Sequence, residues 1–295
     1  MNFHKNLLSL TMIATLAAGI SQQTVAQQLR PLPYVNKEWS KDYPPFRIAG
    51  NLYFVGTYDL GIYLITTPQG HILINTGTAD SEPLIKAHVK KLGFQFKDIR
   101  VLLTTHAHYD HVGAMAAIKR QTNARMLINA KDAAVLADGG NSDYVMGGKG
   151  STFLPVKADR LLQDKDTIQL GGMIITMLHH PGHTPGASSF LFDVKDSTRT
   201  YKVLIANMPS ILDETNLAGM PRYPEVGKDY AYTLQAMKGL QFDLWLSSHA
   251  SQFDFHKKHR PGAPYNPAAF KDRTGYDAAL KELQARYQQK LKTAR

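Results

Sequence analysis

Cysteine is absent from this chain of 295 residues. No disulfide can form, no lipid can be attached to an N-terminal cysteine, and no thiolate can bind a metal ion. Any metal must therefore bind through nitrogen or oxygen atoms. Because 43% of the residues are hydrophobic, the chain has enough apolar material for one large core and does not depend on disulfides for stability.

Long apolar runs are also scarce. The run Leu7–Ile20 is too short to span a bilayer, and no later run is longer. Lys5 precedes it and the small residues of Thr24–Ala26 follow, which is the pattern of a secretory signal peptide. An ordinary buried helix would leave the basic start and the small-residue exit unexplained. We therefore predict a signal peptide at residues 1–26, a periplasmic protein, and a single domain at residues 27–295.

The charge balance is basic, with 34 lysines and arginines against 24 acidic residues and a formal net charge of +10. Apart from the segment 257–260 and the C-terminus, the basic residues are scattered, and aromatic residues do not alternate with them. This distribution is typical of a solvated surface rather than of a nucleic-acid interface. We expect a monomer with no nucleic-acid partner and no membrane partner.

Strand-like and helix-like segments alternate along the chain, which favours a layered α/β fold. The predicted strands are Leu52–Val55, Ile62–Thr66, Ile72–Asn75, Arg100–Thr105, Met126–Asn129, Thr167–Leu170, Ile174–Leu178, Ser188–Val194, Lys202–Ile205 and Leu244–Ser247. The predicted helices begin after Asp80-Ser81, cover Val112–Arg120 and Asp229–Lys238, and close the chain with Leu280, Leu283, Tyr287 and Leu291 on one face.

The segment Asp138–Thr152 is rich in Gly, Ser and Asn and is predicted to be a long loop. Long loops in compact domains are often lids. Two roles remain open: a flap over a substrate, lined by Tyr144 and Met146, or a purely structural loop.

The most informative segment is His106-Ala107-His108-Tyr109-Asp110-His111, directly after a predicted buried strand. Loops at the carboxyl ends of strands are where ligands bind in α/β folds. Four metal-binding side chains within six residues are difficult to explain by packing alone. We predict that His106 and His108 face one ion, and that Asp110 and His111 turn toward a second ion.

Two further histidines follow other predicted strands. His183 lies between two Pro-Gly pairs, which fix a tight loop around it. His249 follows Leu244–Ser247 and is as consistent with a structural histidine as with a ligand when considered alone; a second metal site favours the ligand. His179 and His180 are predicted to close a strand. The remaining histidines are treated as ordinary: His4, His71, His88, His256 and His259.

Together, His106-x-His108-x-Asp110-His111, Pro-Gly-His183-Thr and Ser-His249 resemble the metallo-β-lactamase superfamily. Thioester hydrolases, lactonases and nucleases share the first motif, but they generally carry a bridging Asp where this chain reads Ile205–Ser210 without a carboxylate. Subclasses B1 and B2 carry a ligating Cys, so the resemblance is to subclass B3. It is strongest for the GOB type, which typically has Gln in place of His106.

The resemblance implies an αβ/βα four-layer sandwich and a β-lactamase with two Zn²⁺ per chain. His106, His108 and His183 would hold the first ion, and Asp110, His111 and His249 the second. A zinc-bound hydroxide would attack the amide of a small-molecule β-lactam: a penicillin, cephalosporin or carbapenem. As the catalytic residue, Asp110 would orient this hydroxide. Ser210 would contact the substrate carboxylate.

Three alternatives remain at this stage. A hydrolase of the same fold could act on a thioester or a lactone, although the absent bridging carboxylate disfavours it. A zinc-binding or storage protein would bind metal without an open coordination position. A nucleic-acid-processing enzyme would bind DNA or RNA in a salt-dependent way.

Overall fold

Two β-sheets form the centre of the molecule. The structure is a computed structural model that describes residues 29–294, so the predicted signal peptide lies outside the described residues. The strands of the first sheet are arranged in chain order: β1 (Phe46–Ala49), β2 (Leu52–Phe54), β3 (Tyr63–Thr67), β4 (Gly70–Ile74), β5 (Ile99–Leu103), β6 (Arg125–Asn129) and β7 (Arg160–Leu162).

The second sheet has the order β12-β11-β10-β9-β8. Its strands are β8 (Thr167–Leu170), β9 (Met173–His179), β10 (Ser188–Lys195), β11 (Thr200–Ala206) and β12 (Leu244–Ser247). Strands β8 to β11 are antiparallel neighbours, whereas β12 is parallel to β11. Strands β9, β11 and β12 therefore run in one direction, and their carboxyl ends lie at the same edge.

Helices cover the outer faces of the sheets. They are α1 (Glu82–Lys91), α2 (Tyr109–Val112), α3 (Met115–Thr122), α4 (Ala133–Ala137), α5 (Val226–Lys238), α6 (Phe255–Lys258) and α7 (Arg273–Thr293). Among residues 29–294, no helix has the length and apolar character that a bilayer crossing requires.

The core explains this layering. Residues of β4 such as Ile72 and Ile74 share one buried cluster with Phe190 and Phe192 of β10, so the sheets pack face to face. Leu73, which points to the other side of β4, belongs to a second cluster that includes residues of α1 and α3. On the far side, α5 and α7 contact each other and contribute to the core behind the second sheet. The predicted four-layer sandwich is confirmed.

The predicted helix Val112–Arg120 is wrong as a single element. Two helices, α2 and α3, occupy this region, and α2 begins already at Tyr109. The helix is interrupted at Gly113, where the backbone N–H donates to the carbonyl of Gly77 at 2.8 Å. A Cβ atom at Gly113 would lie 2.5 Å from the backbone nitrogen of Ala79, so only glycine permits this approach. Strands β1 and β7 and helices α4 and α6 are additional to the prediction.

Candidate metal centre

The candidate ligands meet at one edge of the two sheets. His106 lies in the loop after β5, His183 in the loop after β9, and His249 two residues beyond β12. Parallel strands place their carboxyl ends at a common edge, which is why segments far apart in the chain converge there. The structure brings together all six residues that the sequence singles out as ligands.

The first cluster consists of His106, His108 and His183. One nitrogen from each ring lies within 4.8 Å of the others, and all three side chains are buried. Their ring centroids are 4.6 to 4.8 Å apart. Three imidazoles at this spacing can surround one ion.

The second cluster is built around one oxygen of Asp110. This Oδ2 atom lies 3.3 Å from Nε2 of His111 and 3.4 Å from Nε2 of His249. Asp110 and His111 also lie within 4.8 Å of a nitrogen of His106, so the two clusters are adjacent. Asp110 and His111 are consecutive residues of the short helix α2.

Unpaired polar atoms support metal binding. Nε2 of His106 and Nδ1 of His111 are buried and make no hydrogen bond within residues 29–294. Buried polar groups are nearly always paired, because an unpaired one costs free energy. Nitrogen and oxygen donors without thiolate, with imidazole predominating, fit zinc ions.

The protonation states of His106, His183 and Asp110 are also those of metal ligands. Burial, together with the neighbouring histidines, keeps the pKa of His106 well below its ordinary value, and burial lowers the pKa of His183 to about 3. Burial opposes ionisation of Asp110, but His111 and His249 outweigh it and hold the pKa of this carboxyl well below its usual range. Neutral imidazoles and a carboxylate are the forms that bind metal.

Two of the candidate ligands differ from His106 and His183. Burial lowers the pKa of His108, but the carboxylate of Asp143 outweighs burial and raises it. His249 behaves in the same way. Burial lowers its pKa, but the carboxylates of Asp110 and Asp59 outweigh burial and raise it to about 9. Nδ1 of His249 lies 3.0 Å from Oδ2 of Asp59, which leaves Nε2 facing Asp110. A metal ion bound through Nε2 of His249 would have to displace a proton from this ring.

Three buried carboxylates behind the ligands are absent from the sequence prediction. Asp59 accepts hydrogen bonds from His249 and from Nε1 of Trp39. Asp143 faces His108, and Asp132 binds the loops that carry His106 and His183. No local pattern marks these residues, because each one contacts a segment distant in the chain.

The ring of His183 is oriented by a backbone group instead of a carboxylate, since its Nδ1 donates to the carbonyl of Ser210 at 2.8 Å.

An open cavity of about 470 Å³ lies above the clusters. Its walls include Trp39, Asn207, Ser210 and Gln252, and Met146 contributes from the long loop. Tyr144 is not part of this wall: its side chain is buried, packs against Tyr223 with ring centroids 5.1 Å apart, and donates a hydrogen bond to the carbonyl of Gly182. Met146 of the long loop thus lines the cavity, whereas Tyr144 packs inside the protein as a structural side chain.

Known proteins share this architecture. The sequence profile described as "Metallo-beta-lactamase superfamily" matches residues 62–196. A solved β-lactamase from Chitinophaga pinensis is 75% identical, with a TM-score of 0.87, over 88% of this chain and 98% of that one. The chain belongs to the metallo-beta-lactamase superfamily. Its resemblance to the B3 class is also confirmed by the solved structures.

The class B3 di-zinc metallo-beta-lactamase LRA-12 from an Alaskan soil metagenome is 58% identical, with a TM-score of 0.87, over 90% of this chain and 100% of that one. The metallo-beta-lactamase GOB-18 from Elizabethkingia meningoseptica is 52% identical, with a TM-score of 0.89, over 91% of this chain and 99% of that one. More distant superfamily members match only in part. The chain covers 37% of a probable metallo-hydrolase from Burkholderia pseudomallei, at 35% identity over 119 residues.

Proposed function

We propose that this protein is a zinc-dependent β-lactamase that hydrolyses the amide bond of penicillins, cephalosporins and carbapenems. The observation that carries this proposal is the pair of adjacent ligand clusters at the floor of an open cavity. The two residues directly after β11, Asn207 and Met208, line the cavity, and neither is a carboxylate; Asp213 and Glu214 line it further along the chain. The high identity to proteins named β-lactamases supports the same activity.

The first zinc ion would be held by His106, His108 and His183, and the second by Asp110, His111 and His249. When bound, zinc supplies Lewis acidity and lowers the pKa of water to about 7, so that a nucleophile exists at neutral pH. No side chain has to serve as the nucleophile.

The residues of the chain bind and orient the reactants. Asp110 would accept a hydrogen bond from the attacking water and hold it toward the lactam carbonyl. Ser210 lies in the cavity wall, and its hydroxyl would donate to the carboxylate of the substrate. Asn207 also lines the cavity, and its buried Nδ2 makes no hydrogen bond within residues 29–294. Trp39 and Met146 would pack against the apolar parts of the antibiotic.

Hydrolysis of a carbapenem, a penicillin and a cephalosporin by the purified protein tests this proposal, with a thioester in the same panel. We expect turnover of the lactams, loss of turnover when a chelator removes the metal, and recovery when zinc is added. Lactam hydrolysis that survives complete metal removal would contradict the mechanism. Thioester hydrolysis without lactam hydrolysis would contradict the substrate class.

A histidine variant tests the second site. His111→Ala should lose most turnover while its circular dichroism spectrum remains that of the parent. His256→Ala is the matched control, because Nε2 of His256 bonds the carbonyl of Tyr58 and does not line the cavity. Full activity in His111→Ala would refute the assignment of this ligand.

We further propose that residues 27–295 form one exported periplasmic domain, monomeric and without nucleic-acid or membrane partners. The basic start, the apolar run and the small residues at Thr24–Ala26 support export. Cell fractionation tests the periplasmic location, N-terminal sequencing tests the start at residue 27, and gel filtration tests the monomeric state. A product that retains its N-terminus in the cytoplasm would contradict export.

A further inference from the structure

Asp143 contacts two parts of the site at once. Its Oδ2 atom lies 3.0 Å from Nε2 of His108, and the two side chains are only 3% and 5% exposed. Its Oδ1 atom accepts hydrogen bonds from the backbone N–H groups of Val145 at 2.9 Å and Met146 at 2.6 Å. One buried carboxylate therefore joins a candidate metal ligand to the loop.

This contact fixes how His108 faces the first cluster. Because Nε2 is engaged by Asp143, Nδ1 is the nitrogen that remains for a metal ion. A carboxylate in this position holds the ring orientation and the tautomer, and it increases the basicity of the ligating nitrogen.

The Oδ1 atom of Asp143 holds the part of the long loop that lines the cavity. We define the flap as residues 138–152. Val145 and Met146 are the flap residues that line the cavity, and both are held by Oδ1 of Asp143. A displacement of His108 would therefore act, through the side chain of Asp143, on the wall that the substrate would contact.

We propose that Asp143 is a positioning residue that couples metal binding at His108 to the order of the flap. This inference rests on the proposed zinc site. Metal binding and flap order must then reinforce each other to the same extent, because coupling between two sites is reciprocal.

Asp143→Asn separates the two contacts. Asparagine has nearly the same size, and its amide oxygen can still accept the N–H groups of Val145 and Met146. Its NH₂ group then faces the N–H of His108, so that two donors oppose each other. If His108 changes tautomer to relieve this, its proton moves to Nδ1, the nitrogen that the metal requires.

Asn141→Ala is the matched control. Oδ1 of Asn141 accepts the backbone N–H of Gly150 at 2.9 Å, a bond within the flap that does not involve a candidate ligand. This variant weakens the flap without disturbing His108.

Zinc affinity, measured by competition with a chromophoric chelator, is the first readout. We expect the tighter-binding step to weaken about 10- to 100-fold in Asp143→Asn, the usual effect of losing such a partner. Asn141→Ala should remain within about 3-fold of the parent. If the parent binds two zinc ions and Asp143→Asn binds them equally well, this inference is wrong and the proposed function stands. A parent that binds no zinc would overturn the proposed function itself.

Hydrogen exchange of the flap is the second readout, and it requires no variant. In the parent protein, zinc should slow exchange at the amides of Val145 and Met146 at least 10-fold. Exchange that is equal with and without zinc would overturn the coupling even if Asp143→Asn did not fold. In a folded Asp143→Asn, the response to zinc should be lost.

Discussion

Asp132→Asn should weaken the contact between two loops of the candidate metal centre. The carboxylate is fully buried, and its Oδ2 atom accepts the N–H of Ala107 at 2.9 Å and the hydroxyl of Thr184 at 2.8 Å. Its Oδ1 atom accepts the N–H of Gly186 at 2.6 Å. Ala107 lies within the first histidine segment and Thr184 directly follows His183, so this side chain joins the two loops.

The expected loss in the free energy of unfolding follows from the number of buried N–H groups that remain without an acceptor. An amide oxygen placed toward Ala107 and Thr184 leaves an NH₂ group against the N–H of Gly186. A Cβ atom on Gly186 would lie 2.6 Å from Cγ of Asp132, so there is no room for a water to bridge the pair. One buried, unsatisfied N–H costs about 1–3 kcal/mol. Asp132→Ala leaves two backbone N–H groups without an acceptor and should lose about 2–6 kcal/mol by the same reasoning.

Urea unfolding of the metal-free protein, followed by circular dichroism, measures this loss. We choose pH 8, because burial raises the pKa of the Asp132 carboxyl and the ionised form must be compared. Asp196→Asn is the control: its Oδ1 also accepts three bonds, from Thr198 and Arg199, but water can replace them at the surface. Equal midpoints for the parent and Asp132→Asn, or a larger loss in Asp196→Asn, would refute the reasoning.

Two other predictions concern Asp59 and His259. Asp59→Asn replaces the carboxylate that accepts from Nδ1 of His249 with a neutral amide and should weaken the second zinc about 10- to 100-fold in a zinc titration; two unchanged binding steps would argue against it. Burial lowers the pKa of His259, which stacks on Phe46, from 6.5 to about 4. The unfolded chain thus takes up this proton first, and the free energy of unfolding should fall as the pH drops from about 6.5 to about 4. Urea midpoints at pH 7 and 4.5 measure the fall, which should be smaller in His259→Phe; an equal fall in both proteins would exclude this histidine as a cause.

The candidate ligands could be predicted because the information is local. His106, His108, Asp110 and His111 are nearly consecutive, and the end of a buried strand is recognisable in the preceding residues. His183 and His249 also follow strands, so their convergence is a consequence of strand direction. All six candidate ligands can therefore be identified in the sequence before any distance between them is known.

The supporting carboxylates could not be predicted in this way. Asp59 is 190 residues from His249, and Asp143 is 35 residues from His108. Each lies in a loop whose path depends on packing, and a single Asp in a loop has no pattern that distinguishes it from a solvated one. The break between α2 and α3 has a similar origin, because the contact that requires Gly113 is made by the loop at Gly77–Ala79.

The six candidate ligands come from opposite halves of the sandwich. Four follow β5 of the first sheet, whereas His183 and His249 follow strands of the second. A metal ion shared between them acts as a cross-link that the unfolded chain does not hold. Free zinc at 100 times its dissociation constant would add about 2.7 kcal/mol to the free energy of unfolding. The concentration of free zinc would thus affect the resistance of this protein to proteases as well as its proposed turnover.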